Sequence, residues 1–158
     1  MSYTQAPHLS KDQIDSYLRE AKIARLCTLN EDGSIHAAPV WYLYKDGRLR
    51  IVTAKYSRKG KNIARNRNVT VLVDNSDSEP NLPQGIVIYG IAEIEDWVDP
   101  KDPDVLSLFG KYVAKEENES FTTAQFNLAS GLKITIEPTR IGSFDYQKDK
   151  RIRTDDST

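Results

Sequence analysis

The chain has 158 residues, 39% of them hydrophobic and 28% charged, with a formal net charge of −1. That length suits one domain with one core, and that composition is ordinary for a globular protein. A single cysteine, Cys27, excludes an internal disulfide and any multi-cysteine metal site. No apolar run approaches the roughly 20 residues of a membrane span, and "MSYTQAPHLS" lacks the basic-then-apolar layout of a signal peptide, so a cytoplasmic location is expected.

The first predicted element is a helix over "LSKDQIDSYLREA". Ser10 and Gln13 form a capping box, Leu9 can staple onto Ile14, and Ile14, Tyr17, Leu18 and Ala21 line one face. "IARLCTLN" reads as a strand, "EDGS" as a turn, and "IHAAPVWYLY" as a second strand whose Pro39 implies an edge, a bulge or a break. After the turn "KDG", "RLRIVTA" is a third strand, and the short connections predict an antiparallel meander. "SRKGKNIARN" is a short helix capped by Ser57, and "VTVLVD" returns to strand. Beyond the polar loop "NSDSEPNLPQG" comes a long strand, "IVIYGIAEIEDW", with Gly90 marking a bulge or a close backbone approach. Pro103 opens a helix with Val105, Leu106, Phe109, Tyr112 and Val113 at helical spacing. A further short helix is predicted over "SFTTAQFNLASG", then a last strand, "LKITIEPTRIGSFDY", with a break expected at Pro138. The sum is a mainly β chain with α-helices: six or so antiparallel strands that curl into a barrel, in one domain over residues 1–146, followed by a polar tail at 147–158 for which fraying is expected.

Charge is gathered in one place. Between Gly47 and Val73 stand Arg48, Arg50, Lys55, Arg58, Lys59, Lys61, Arg65 and Arg67 with no acid, so this stretch carries +8 and the rest of the chain −9. A basic pole on an acidic body points to a local anionic ligand. Arg58 and Lys59 occupy the first turn of the predicted helix, where the macrodipole disfavours cations. A bound phosphate would reverse that sign. A solvated surface helix is the plainer alternative. A nucleic-acid surface would need aromatic platforms, and Tyr56 is the only aromatic within "TAKYSRKGKNIARN".

Other candidate groups read as structural. Trp41 alternates with Tyr42 and Tyr44 along its strand; each alone fits barrel core or a subunit contact, and Trp97 is equally open. His36 has the pKa range of an acid–base residue, but a lone histidine near a turn is read as structural, and His8 as surface. Cys27 reads as a small core residue. Two histidines without paired carboxylates give no metal site, and Ser57 has no His–Asp partners for nucleophilic hydrolysis. No catalytic residue is identifiable.

The order of these pieces carries a family likeness. Asp32-Gly33-Ser34-Ile35-His36, Pro39-Val40-Trp41, Asp46-Gly47-Arg48-Leu49, Thr53, Ser57-Arg58-Lys59, Asn62 and Asn68-Val69 follow one another as in the flavin-binding core of the pyridoxamine 5'-phosphate oxidase-like split β-barrel superfamily, which the chain resembles over roughly residues 10–146. The resemblance implies a six-stranded antiparallel split barrel with flanking helices, working as a homodimer with FMN in grooves between subunits and a small organic molecule as substrate. It places Arg58 and Lys59 on the cofactor phosphate with Ser57 and Lys61 beside it. Thr53 and Val52 fall near the phosphate and ribityl chain, and Ala37, Ala38, Val40 and Trp41 along the ring edge, partly through backbone groups. No nucleic-acid or membrane partner and no metal is expected from the residues. The tail "KDKRIRTDDST" lacks the Arg-x-His motif of the vitamin B6 oxidase itself, which argues against that particular activity. Related branches bind the deazaflavin coenzyme F-420 at a similar helix start, so that cofactor is the alternative, with Lys55, Lys61 and Arg65 available for its longer anionic tail. A non-catalytic flavin-binding protein, its substrate pocket closed by the helices of residues 103–130, is the third reading.

Overall fold

A computed structural model describes residues 6–75, 82–96, 99, 101–113, 120, 124 and 131–149. Trp97, almost all of the helix expected over 120–131, and the tail beyond Asp149 lie outside the described residues. The elements in order are α1 (Lys11–Glu20), β1 (Ala24–Leu29), β2 (Ile35–Val40), β3 (Leu43–Lys45), β4 (Arg48–Ala54), α2 (Arg58–Arg65), β5 (Asn68–Asp74), β6 (Gln84–Asp96), α3 (Pro103–Gly110) and β7 (Gly131–Asp145), with a 3-10 turn at Tyr146–Lys148. Among the described residues, no helix is long and apolar enough to cross a membrane.

The strands form one antiparallel sheet in the order β2-β1-β5-β6-β7-β4-β3. The count is seven where six were expected, because the segment read as one strand, "IHAAPVWYLY", is two. Residues up to Val40 pair with β1, residues from Leu43 pair with β4, and Trp41 and Tyr42 form the link. The expected meander is therefore two hairpins at opposite edges of the sheet. A two-residue link cannot span an open seven-stranded sheet at about 4.8 Å per strand, so the sheet must curl until its edges nearly meet. This is the physical origin of the barrel.

Alternation puts Leu26, Leu49, Ile51, Val71, Ile88 and Ile134 inside, each fully buried and each worth about 1.5–3 kcal/mol of apolar burial. Val40, Tyr42 and Tyr44 keep the same inward phase across the link. Tyr42, too large for a dry core without a partner for its hydroxyl, donates to Leu18 O at 2.7 Å and so ties the link to α1. The capping box of α1 forms in both directions between Ser10 and Gln13. The β3–β4 hairpin turns on Asp46 (φ 53°) and Gly47 (φ 73°). Two consecutive positive φ angles match the twist of the flanking strands, which is why a short polar residue and a glycine stand there.

Pro39 lies on edge strand β2, where its missing N–H costs no ladder bond. Pro138 does not break β7, which runs on to Asp145. The irregularity predicted at Gly90 is present: Tyr89 pairs with Arg140 and Gly90 with Pro138, leaving Thr139 as the extra residue. Thr139 turns its hydroxyl onto Tyr89 O at 3.0 Å. A Cβ on Gly90 would stand 2.7 Å from both Glu137 O and Ile136 Cγ2, so no larger residue fits without moving β7.

Candidate functional site

At the end of the β4–β7 ladder Thr53 pairs with Leu132 and Ala54 with Gly131, and the chain then turns into α2. Ser57 caps that helix from extended backbone, its Oγ accepting from Gly60 N at 3.2 Å and from the Thr53 hydroxyl at 3.2 Å. Ile63 reaches the core, fully buried. Asn62, 1% exposed, donates to Thr28 Oγ1 at 3.1 Å and Asn30 Oδ1 at 2.8 Å, and its carbonyl accepts from Arg65 at 3.0 Å. The helix is thus seated against β1 by a satisfied polar bridge and one apolar anchor. Gly60 serves this seating. A Cβ there would meet Leu132 Cδ1 and Lys55 O at 3.0 Å, so the close approach its missing side chain permits is by the protein itself.

This seating leaves the helix mouth short of partners. Among the described residues the amides of Arg58 and Lys59 have no hydrogen-bond acceptor. Four of the eight clustered cations are matched by acids: Arg48 by Glu137, Arg50 by Asp104, Lys55 by Asp96 and Arg65 by Glu31. Arg58, Lys59, Lys61 and Arg67 form no ion pair with any described residue. Arg58 and Lys61 are exposed, whereas Lys59 is partly buried, and the loss of water pushes its ammonium below the usual lysine range. Asp32, in the β1–β2 turn, is held below the usual carboxylate range first by the Ser34 hydroxyl and amide, and least by the field of Arg58. An unpaired, partly desolvated cation beside free helix-terminal amides is what a phosphate group would complete.

The residues singled out from the sequence fall into three groups. Thr53 and Ser57 are joined by their hydroxyls at the start of α2, Arg58 and Lys59 stand in its first turn, and Lys61 follows one turn on. Val52 faces the other side of β4 from Thr53. It packs with Leu43 and Tyr112 against the apolar face of α3, formed by Val105, Leu108 and Phe109. Trp41 meets the same helix edge-on at Phe109, 6.2 Å away, and stacks on Tyr112 just past its end at 4.5 Å. Ala38 and Val40 point inward from β2. The Val40 side chain is in the core, which leaves its backbone for any ligand contact.

Two residues were placed differently or missed. Cys27 is not core. Ala24, Leu26 and Thr28 take the inward phase of β1, and Cys27 faces out. There it lines a groove of about 320 Å3 with Leu29, Ile35, Asn68, Tyr89 and Thr139, and burial pushes its thiol up. This groove takes no lining residue from 53–65, so it is separate from the cationic mouth. Asn62 was legible only as part of a motif; an asparagine one position before the buried Ile63 is the signal that its side chain had to find partners inside.

A curled antiparallel sheet with its edges joined by two residues, one end seated on a cation-mouthed helix, defines a split β-barrel. The chain belongs to the pyridoxamine 5'-phosphate oxidase family, whose sequence profile matches residues 10–138. Among solved structures it resembles a conserved hypothetical protein from Mycobacterium tuberculosis, with TM-score 0.74 and 22% identity over 93% of this chain and 91% of that one. An F420 reductase aligns with TM-score 0.61 and 21% identity, over 81% and 94% of the two chains. An FAD-binding protein from Mesorhizobium loti gives TM-score 0.59 and 18% identity, over 89% and 97%. No curated protein sequence matches significantly. At these identities the structural likeness establishes the fold.

Proposed function

We propose that this protein is an oxidoreductase that binds FMN, with the cofactor phosphate at the α2 mouth, and acts as a homodimer on a small organic substrate. The observation that carries this reading is Lys59, partly buried and without an anionic partner among the described residues, next to two unfilled amides. Arg58 supplies a planar fork suited to two parallel bonds, Lys59 a point charge, and Ser57 and Thr53 a hydroxyl pair on the same rim. A flavin, when bound, supplies the hydride and electron chemistry, so the protein's part is to hold, orient and desolvate it.

The deazaflavin coenzyme F-420 is the second reading, favoured by the free charge of Lys61 one turn along from the mouth and by the likeness to an F420 reductase. Two of the three cations available for its anionic tail, Lys55 and Arg65, are engaged with Asp96 and Glu31, which is why FMN is placed first.

The test is a visible spectrum of the purified protein, then separate titrations with FMN and the deazaflavin. FMN is expected to bind the more tightly, and failure of both to bind removes the proposal. The pH dependence has a definite sign. A bound phosphate raises the depressed Lys59 pKa, so binding takes up a proton between the free and bound values. Affinity therefore falls as pH rises through a window that opens below the usual lysine range. An affinity that is flat from neutral to strongly alkaline pH contradicts the role of Lys59.

A further inference from the structure

The Trp41–Tyr42 link is the point where the chain leaves one edge of the sheet for the other, so its backbone is outside both ladders. Its polar groups are met from 70 residues away. Tyr42 N donates to the Tyr112 hydroxyl at 2.9 Å, and that hydroxyl donates to Tyr42 O at 3.0 Å. One side-chain oxygen thus closes both backbone groups of a single residue. The same ring lies flat against Trp41, 4.5 Å between centroids with planes 2° apart, while Phe109 meets Trp41 edge-on at 6.2 Å and 74°. Trp41 remains 38% exposed.

The residue before Tyr112 fastens this unit to the rest of the barrel. Lys111 Nζ donates to Ala21 O at 2.6 Å, at the end of α1, and sits 4.2 Å over the Tyr42 ring. Lys22 returns a bond to Lys111 O at 2.9 Å. At its other end α3 is fixed by Asp102 to Lys133 and by Asp104 to Arg50 and Lys45. A residue that only filled space would need neither the two-way hydroxyl nor the coplanar stack. Those features constrain the backbone of the link and the side-chain angle of Trp41 together.

We infer that Tyr112 is the positioning residue for the Trp41–Tyr42 link, fixing the angle of Trp41, which the family resemblance puts along the flavin ring edge, and so coupling the seating of α3 to the cofactor site. This rests on the FMN reading above. It goes beyond it by assigning control of the ring environment to a residue outside the barrel strands.

Two variants separate the contributions. Tyr112→Phe keeps the stack and loses both hydrogen bonds; Tyr112→Leu loses both features. In the ligand-free full chain carrying Trp97→Phe, so that Trp41 alone emits, acrylamide quenching reports the freedom of Trp41. Quenching is expected to rise in Tyr112→Phe and further in Tyr112→Leu. In the Trp97-containing protein, Tyr112→Phe should raise the Kd for FMN about tenfold and shift the visible spectrum of the bound flavin. A purely structural role would lower affinity without involving Trp41, so the deciding step is a cycle with Trp41→Leu: the effect of Tyr112→Phe on the Kd should largely vanish in that background. Unchanged Trp41 quenching in both Tyr112 variants overturns the positioning role. An effect on Kd that persists in full with Trp41→Leu overturns the coupling. If wild type binds no FMN, the FMN reading fails and the coupling with it, while the quenching experiment still decides whether Tyr112 positions Trp41.

Discussion

Replacing Arg58 and Lys59 together with Ala is expected to weaken FMN binding by about 4 kcal/mol, roughly a thousandfold in Kd, while making the ligand-free protein more stable. The two signs come from one cause. Each charge-assisted hydrogen bond to the phosphate is worth roughly 1.5–3 kcal/mol. The lower part of that range applies to exposed Arg58 and the upper part to Lys59, whose desolvation is already complete in part before the ligand arrives. Without a ligand, the same two cations stand at the positive end of a helix that has no acid in its first turn. Removing them relieves about 0.3–1 kcal/mol each, and Ala is also the better helix former. Titration calorimetry or fluorescence gives the affinity, and thermal unfolding should show a Tm raised by roughly 2–4 °C. A loss of both affinity and stability would instead mean that the residues hold the helix rather than the ligand.

The largest stability effect is expected at Gly90. Gly90→Ala should cost about 2–3 kcal/mol, in the upper range for overpacking, because the new methyl would stand 2.7 Å from backbone Glu137 O and from Ile136 Cγ2. Neither neighbour is the free end of a flexible side chain. Relief would require β6 and β7 to separate at the Thr139 bulge, in the middle of the longest ladder in the sheet. Gly142→Ala, on the same strand pair but with no atom within 4 Å of its Cβ, is the control and should change stability by less than about 0.5 kcal/mol. Chemical denaturation of the three proteins measures this directly. Equal stabilities would show that the bulge yields freely.

The α2 mouth was legible because its evidence is local: a cap, a glycine, a run of cations and no acid within "TAKYSRKGKNIARN". The break at Trp41–Tyr42 was not, because Val40, Tyr42 and Tyr44 are all buried and keep a period of two straight through it. What changes there is the hydrogen-bond partner, from β1 to β4, and side-chain periodicity does not encode partner choice. The phase of β1 was ambiguous for a related reason. Thr28 can face inward only because Asn62, 34 residues on, satisfies its hydroxyl, and that turns Cys27 outward. The role of Tyr112 is equally non-local, since nothing near "LFGKYV" announces a contact with the link between β2 and β3.

A side-by-side titration with FMN and riboflavin, which share a ring and differ in the terminal phosphate, tests the α2 mouth without altering the protein. If the mouth holds the phosphate, riboflavin should bind at least about a hundredfold more weakly than FMN, by the same charged hydrogen bonds, and inorganic phosphate should compete with FMN but not with riboflavin. Equal affinity for the two flavins would place the phosphate elsewhere and contradict the account.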